Sequence, residues 1–375
     1  MKHHPRLLYF VTEDWYFCSH RLNLALAAQC QGFEIHVLTR VSRHGDIILS
    51  KGFNLIPLDI ERGSTQPVRE LKTIFQVWRH YVRIKPDIVH HIALKPAIYG
   101  GFVSLFIPKL KTVSLIAGLG SIFSSNSLKA RLLKPFVKWV LRFLFNSNMN
   151  RIVVQNTEDR GFLIDQLKVN AENVVLIKGS GVDIKLFQPT PEPDGQVIVA
   201  LVSRLLWNKG IGEYVEAIRI LKQRGLIFNA VLVGEPDDEN IASVDRSQLE
   251  AWQQLGLIEW LVFQENVAAF WQTAHIAVLP SYREGLPKSL LEAAACGRPI
   301  VTTDTSGCKE VVQNGLNGFL VKVGDSVELA DALEKLILNA DLRQKMGRAG
   351  RKLVEQEFSD QKIIAKTLAV YQELI

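Results

Sequence analysis

Cysteine is scarce in this chain. Four residues, Cys18, Cys30, Cys296 and Cys308, are spread over 375 positions, with no C-x-x-C pair and no Cys/His spacing typical of a metal site. This argues against a disulfide scaffold, and a reducing cytoplasm is the simplest setting. No uncharged stretch combines the length and apolarity of a membrane span. No secretory signal is expected, because the run Leu7 to Val11 is too short and acidic Glu13-Asp14 follow it. Any membrane contact is therefore expected to be peripheral. Repeats and low-complexity segments are absent as well. The largest local deficit is of negative charge: from Ile88 to Thr157 there is no Asp or Glu, against nine Lys/Arg.

What is present suits an ordinary folded protein. The chain is 47% hydrophobic and 22% charged, which excludes disorder, and its length suits two domains rather than one core. Charge is divided unevenly. Residues 1–185 hold 25 Lys/Arg and 13 Asp/Glu, and the remainder holds 19 and 25. The first half is the expected meeting surface for an anionic partner. Nucleic acid is not that partner, since no basic-aromatic recognition motif accompanies the high pI.

Short apolar runs alternate with helix-like stretches, the pattern of parallel-sheet βα units. In the first half the runs are Leu7–Val11, Ile35–Thr39, Leu55–Leu58, Ile88–His91, Thr112–Ile116, Ile152–Gln155 and Val174–Ile177. The Pro-rich segment 189–196 reads as a linker. The pattern then restarts with Val197–Val202, Ala230–Val233, Leu261–Phe263, Ile276–Leu279, Pro299–Thr303 and Gly318–Val321. The expected fold class is α/β: two doubly wound, Rossmann-like domains (1–188 and 197–358) facing across a cleft, each binding ligand beyond its strands' C-terminal ends. A last helix lies within 359–375.

Two segments carry the chemistry. In Glu284-Gly285-Leu286-Pro287-Lys288-Ser289-Leu290-Leu291-Glu292, a Gly/Pro loop leads into a helix that Pro287 can open. Such a start aims free N–H groups and a positive dipole end at an anion, although Pro287 itself has no N–H. Carboxylates on both sides suit a ligand that joins phosphate to hydroxyl-rich groups, as a nucleotide sugar does. Upstream, the strand Val197–Val202 ends at Ser203, and Arg204 and Lys209 follow five residues apart. A planar fork and a point charge are the two standard grips on phosphate, each charge-assisted bond being worth about 1.5–3 kcal/mol. Two solvated acids and an exposed basic pair are the plain alternatives.

Together these segments resemble the donor site of family 4 retaining glycosyltransferases with the GT-B fold. The likeness extends over nearly the whole chain. It includes Gly179-Ser180-Gly181-Val182-Asp183, Val231-Leu232-Val233-Gly234-Glu235 and Gly307-Cys308-Lys309-Glu310-Val311-Val312. In the first half, Phe17-Cys18-Ser19-His20-Arg21, Lys95-Pro96-Ala97-Ile98-Tyr99-Gly100 and Gly118-Leu119-Gly120-Ser121-Ile122-Phe123 resemble a bacterial branch acting on undecaprenyl-diphosphate-linked glycans. That branch includes the bacillosamine-directed N-acetylgalactosaminyltransferases.

The resemblance implies a role for each matching residue. Arg204 and Lys209 hold the diphosphate of a nucleotide sugar, with UDP favoured by the branch. Glu284 meets the donor sugar, and with Arg204 and Lys209 it forms the expected catalytic set. Glu292 binds the ribose. Gly285, Leu286 and Pro287 shape the turn, and Gly234 lets backbone approach the nucleotide. The loop Gln264-Glu265-Asn266-Val267 is a further candidate for the base. No cofactor or metal is expected: the chain has no D-x-D triplet, and two fixed cations with a helix N-terminus stabilise the same leaving charge. Retention of configuration follows from the resemblance too. Many relatives carry a histidine where this chain has Ala117-Gly118, so no catalytic histidine is transferred. The resemblance also implies that the last helix packs back on the first domain.

The acceptor is expected to be a polyprenyl-diphosphate-linked glycan, met by the first domain through His20, Arg21, His91, Lys95, Gly118 and Gly120. Arg21 could equally start a solvated helix. Of His90 and His91 one should face the cleft, and a satisfied structural histidine is the alternative. Arg131, Lys134, Lys138 and Arg142 form a stripe at helical spacing, with Phe136, Trp139 and Phe143 beside it. Either residues 88–157 meet an anionic membrane surface on the inner face of the cytoplasmic membrane, or this is a core helix with one basic edge. A nucleotide-sugar epimerase of the same architecture and a non-catalytic sugar-nucleotide-binding scaffold are the competing functions. Dependence on an acceptor separates the first, and binding without turnover identifies the second.

Overall fold

The computed structural model describes residues 4–61, 66–116, 128–146, 149–237, 239–262 and 266–375, with backbone only for 128–134 and 136. Gly118, Gly120, Gln264 and Glu265, and the side chains of Arg131, Lys134 and Phe136, lie outside what is described. The chain divides into two units, residues 1–180 with 363–375, and residues 181–362.

The first unit contains a seven-stranded parallel sheet in the order β3-β2-β1-β4-β5-β6-β7. Its elements are β1 (Arg6–Glu13), α1 (Asp14–His20), α2 (Leu22–Cys30), β2 (Glu34–Arg40), α3 (Gly45–Ser50), β3 (Asn54–Pro57), α4 (Pro67–Ile84), β4 (Ile88–Ile92), α5 (Leu94–Ser104), β5 (Lys111–Ile116), α6 (Leu128–Phe145), β6 (Asn150–Val154), α7 (Thr157–Gly161) and β7 (Val174–Leu176). Alternate residues of β1 enter different cores. Leu7, Tyr9 and Val11 pack with α2, whereas Leu8 and Phe10 pack with Val77 and Tyr81 of α4. This is the period-two consequence of a strand covered on both faces.

The second unit has a six-stranded parallel sheet, β10-β9-β8-β11-β12-β13. Its elements are β8 (Ile198–Val202), α8 (Ile211–Gln223), β9 (Asn229–Val233), α9 (Arg246–Gln254), β10 (Glu259–Leu261), α10 (Val267–Thr273), β11 (Ile276–Leu279), α11 (Lys288–Ala295), β12 (Ile300–Thr303), α12 (Ser306–Val311), β13 (Gly318–Val321), α13 (Ser326–Leu338) and α14 (Ala340–Leu353). The chain ends in α15 (Asp360–Leu374), whose residues from Ile363 onward belong to the first unit. There the buried Tyr371 hydroxyl bonds His90 Nδ1 at 2.6 Å.

The division falls at Ser180–Gly181 because Val182 and Phe187 are already buried in the second unit's core. The Pro-rich segment expected as a linker is fastened to that unit. Arg298 donates to Thr190 Oγ1 at 2.7 Å, and Arg343 Nε donates to Glu192 Oε1 at 2.6 Å.

Candidate active site

In the second unit β8 and β11 are neighbours, yet β9 follows β8 on one side and β12 follows β11 on the other. The connections leave the two strands in opposite directions, opening a crevice beyond their carboxyl ends. Arg204 and Lys209 stand in the loop after β8, and Glu284 to Pro287 in the loop after β11. The loops touch. Gly210 adopts φ 76°, and a Cβ there would lie 2.1 Å from the Pro280 carbonyl oxygen, so only glycine permits this approach.

The contact brings Lys209 and Glu284 together. Lys209 Nζ donates to Glu284 Oε1 at 2.6 Å, with the two side chains 18% and 10% exposed. Arg204 Nη1 donates to Asp237 Oδ2 at 2.9 Å from a more open position. Asp237 was not foreseen from the sequence. It follows Gly234 in the loop after β9, and nothing in the acidic run Glu235-Pro236-Asp237-Asp238-Glu239 singles out one acid as the partner of Arg204. Both expected phosphate-gripping cations thus have carboxylate partners that an incoming anion would compete with.

The turn is held from below. Ser281 Oγ donates to the Asn208 carbonyl at 3.1 Å, and Tyr282 N–H donates to the same oxygen at 3.0 Å. Gly307, on α12, leaves room for the turn, since a Cβ would come within 2.6 Å of the Glu284 and Gly285 carbonyl oxygens. Gly234 packs on the loop after β8, where a Cβ would meet the Ser203 carbonyl. Leu286 packs at the edge of the core. Pro287 is the N-cap residue of α11, with φ −75° and ψ 109°, rather than its first helical residue. Lys288 and Ser289 therefore supply the first free N–H groups.

Glu292 lies one turn into α11 and is buried. Burial raises its pKa above the ordinary carboxylate value, partly offset by Lys288 at 3.5 Å. Among the described residues no hydrogen bond links it to the Lys209–Glu284 pair. The Cys308 thiol, on the neighbouring α12, is pushed up to about 11 by burial, with the Glu284 charge adding to the effect.

In the first unit the expected acceptor residues His91, Arg21 and Lys95 are placed in the following surroundings. His91 is fully buried, with Nε2 paired to the Tyr81 hydroxyl at 3.0 Å and Nδ1 to Ser114 Oγ at 3.2 Å. Burial lowers its pKa to about 3, so it is a neutral core residue. Its neighbour His90, the other residue of the pair of which one was expected to face the cleft, is also buried. Arg21 is 3% exposed at the junction of α1 and α2, and no hydrogen-bond partner for Nε or Nη2 is present among the described residues. Its charge reaches Tyr9, His90 and Tyr371 instead of a solvated surface. Lys95 Nζ donates to the Glu61 carbonyl at 2.6 Å and to Glu70 Oε1 at 3.1 Å, tying α5 to α4. His20 is half-buried, stacked on Tyr16 with ring centroids 4.2 Å apart.

A further feature of this unit escaped the sequence. Ala93, between β4 and α5, has φ 80° and ψ 169°, a region adopted almost only by glycine. It turns the chain into α5 while its N–H donates to the Leu115 carbonyl at 3.1 Å. Ala93→Gly should raise stability by about 1 kcal/mol, the relieved strain exceeding glycine's extra unfolded-state entropy. A thermal melt checks this, and an unchanged or lower Tm refutes the strain.

The fold and this crevice define a GT-B glycosyltransferase. Residues 6–156 match the family described as Glycosyl transferase 4-like, and residues 182–353 match Glycosyl transferases group 1. The chain belongs to the glycosyltransferases that join these two domains. It is 26% identical over 369 residues, 95% of each chain, to N,N'-diacetylbacillosaminyl-diphospho-undecaprenol alpha-1,3-N-acetylgalactosaminyltransferase of Campylobacter jejuni. It is 22% identical to UDP-Gal:alpha-D-GlcNAc-diphosphoundecaprenol alpha-1,3-galactosyltransferase of Escherichia coli, covering 82% of this chain and 81% of that one. Among solved structures, sucrose-phosphate synthase of Thermosynechococcus elongatus superposes with TM-score 0.80 at 18% identity, covering 99% of both chains. Anabaena HepE in complex with UDP superposes with TM-score 0.78 at 18% identity, covering 98% of this chain and 100% of that one. Among the described residues, no helix is long and apolar enough to cross a membrane.

Proposed function

We propose that this chain is a retaining hexosyltransferase. It moves a hexose or N-acetylhexosamine from a UDP-sugar to a polyprenyl-diphosphate-linked glycan at the inner face of the cytoplasmic membrane. The observation that carries the reading is the Lys209–Glu284 pair, which joins the loop after β8 to the loop after β11, with Arg204 in the same β8 loop as Lys209. The acceptor class rests on the likeness to transferases named for diphospho-undecaprenol substrates.

In this reading the donor diphosphate displaces the two carboxylates from their cations. Arg204 and Lys209, with the first N–H groups of α11, then take up the negative charge that grows on the leaving phosphate. The bond from the anomeric carbon to the phosphate oxygen breaks, and its electron pair leaves with the diphosphate. The acceptor hydroxyl bonds the anomeric carbon on the same face and passes its proton to the leaving phosphate. Glu284 meets the donor sugar, and Glu292 receives hydrogen bonds from ribose hydroxyls. The cations do this work without a metal.

The test is a thermal-shift panel of UDP-, GDP- and ADP-sugars, followed by product analysis with undecaprenyl-diphosphate sugars. A UDP-sugar should raise Tm with concentration, following RT ln(1 + [L]/Kd). Turnover should survive EDTA, and NMR should show the donor's anomeric configuration in the product. Loss of turnover in EDTA with recovery on Mg²⁺ would refute metal independence, and an inverted product would refute retention. Conversion of the nucleotide sugar without acceptor would replace transfer with epimerisation.

A further inference from the structure

Helix α4 carries an apolar stripe that the core does not use. Its inner face is Thr73, Val77 and Tyr81, all buried. On another face Val68, Leu71, Phe75, Trp78 and Val82 recur at three- and four-residue steps and are exposed, Val68 at 83% and Leu71 at 67%. These steps bring all five side chains onto one line along the 18-residue helix. Phe75 and Trp78 stack on each other with centroids 5.6 Å apart. Lys72, Arg79 and Arg83 are exposed and run along one edge of the stripe. The helix's one acid, Glu70, is turned away from them and held by Lys95 and the Tyr99 hydroxyl.

We propose that α4 docks on an anionic lipid surface, with the stripe seated at the headgroup boundary and Lys72, Arg79 and Arg83 on lipid phosphates. An apolar face with an aromatic pair and a basic flank is the pattern of an interfacial helix. Charge decides between this occupant and a second copy of the chain. Two α4 stripes paired about a twofold axis would bring two basic edges together with no exposed acid on the helix to neutralise them, whereas an anionic leaflet neutralises both terms at once. The helices next in line also expose aromatic side chains. Helix α4 packs on α5, near whose end Phe102 and Phe106 are exposed, and α5 packs on α6, which exposes Trp139 and Phe143. The inference deepens the membrane part of the proposed function and assigns it to an element outside residues 88–157.

The test is co-sedimentation with vesicles of phosphatidylcholine alone and of equimolar phosphatidylcholine and phosphatidylglycerol. Wild type should bind the anionic vesicles and not the neutral ones. The triple variant Lys72→Glu/Arg79→Glu/Arg83→Glu should lose roughly a hundredfold in partitioning, at about fivefold for each cation removed. Leu71→Ser/Phe75→Ser/Trp78→Ser should lose binding as well. Both variants should keep the wild-type Tm shift with UDP-sugar, which shows an intact fold and donor site. Wild-type partitioning in the two α4 variants, with loss in Trp139→Ser/Phe143→Ser, would overturn the inference and leave the membrane reading standing. No binding by wild type would overturn both. A wild-type dimer that Leu71→Ser/Phe75→Ser/Trp78→Ser converts to monomer with vesicle binding unchanged would make the stripe a subunit seam, and that too would overturn it.

Discussion

Lys209→Ala is expected to lower kcat and kcat/KM together by about two to three orders of magnitude. That is the usual loss when one preorganised donor aimed at developing charge is removed. Arg204 is the more exposed of the two cations, so its charge is better screened by water, whereas Lys209 sits in a tighter setting against Glu284. The substitution also strands Glu284 with its carboxylate mostly buried, so Tm should fall. The double variant Lys209→Ala/Glu284→Gln separates these effects. It should recover most of the lost Tm, because no unpaired charge remains, while activity stays low. A Lys209→Ala enzyme within a few-fold of wild-type kcat would remove Lys209 from the catalytic set.

The second large effect concerns Glu292. Burial holds its pKa above the ordinary value, so over the window between the two the folded state binds more protons than the unfolded chain. Stability therefore falls as pH rises through that window. Glu292→Gln removes the titration. Its Tm should match wild type below the ordinary carboxylate range and exceed it at neutral pH, the gap opening as pH rises. Lys288, the carboxylate's partner, is 29% exposed and regains water when the charge is removed. The same substitution should weaken UDP-sugar binding by about ten- to a hundredfold, since hydrogen bonds to a charged acceptor are worth about 1.5–3 kcal/mol. Thermal melts across pH with and without UDP-sugar measure both. A lower Tm at neutral pH would refute the buried-charge account, and unchanged affinity would refute the ribose role.

Much of the fold was legible because its strands are covered on both faces. Such strands read as unbroken apolar runs, and Ile88–His91 and Ile276–Leu279 became β4 and β11 almost residue for residue. The exception is instructive. The run Leu261–Phe263 suggested a strand; the strand described is Glu259–Leu261, at the sheet edge, where β10 pairs with β9 and apolar continuity is a weaker guide, and Phe263 lies outside the described residues. In the candidate site, the spacing of Arg204 and Lys209 signalled phosphate chemistry, and the meeting of Lys209 with Glu284 follows from the order of β8 and β11. Partners were not legible. Asp237 on Arg204, Glu70 on Lys95, and Tyr81 with Ser114 on His91 come from distant segments, and no local pattern announces such contacts. Nor could periodicity separate the stripe of α4 from its core face, because both are apolar at helical spacing. The burial of Arg21 was not legible for a related reason: a charged residue opening a helix gives no local sign that the α1–α2 junction turns it inward.

The order of the second sheet has a consequence for assembly. Lys209 and Glu284 are 75 residues apart in the chain, and β9, β10 and their helices intervene before β11 arrives beside β8. During synthesis the half carrying the cations emerges well before its acidic counterpart, and the two loops are apposed only once the central strands have paired. The Lys209–Glu284 bond is therefore a late contact, one that reports the completed pairing of β8 with β11.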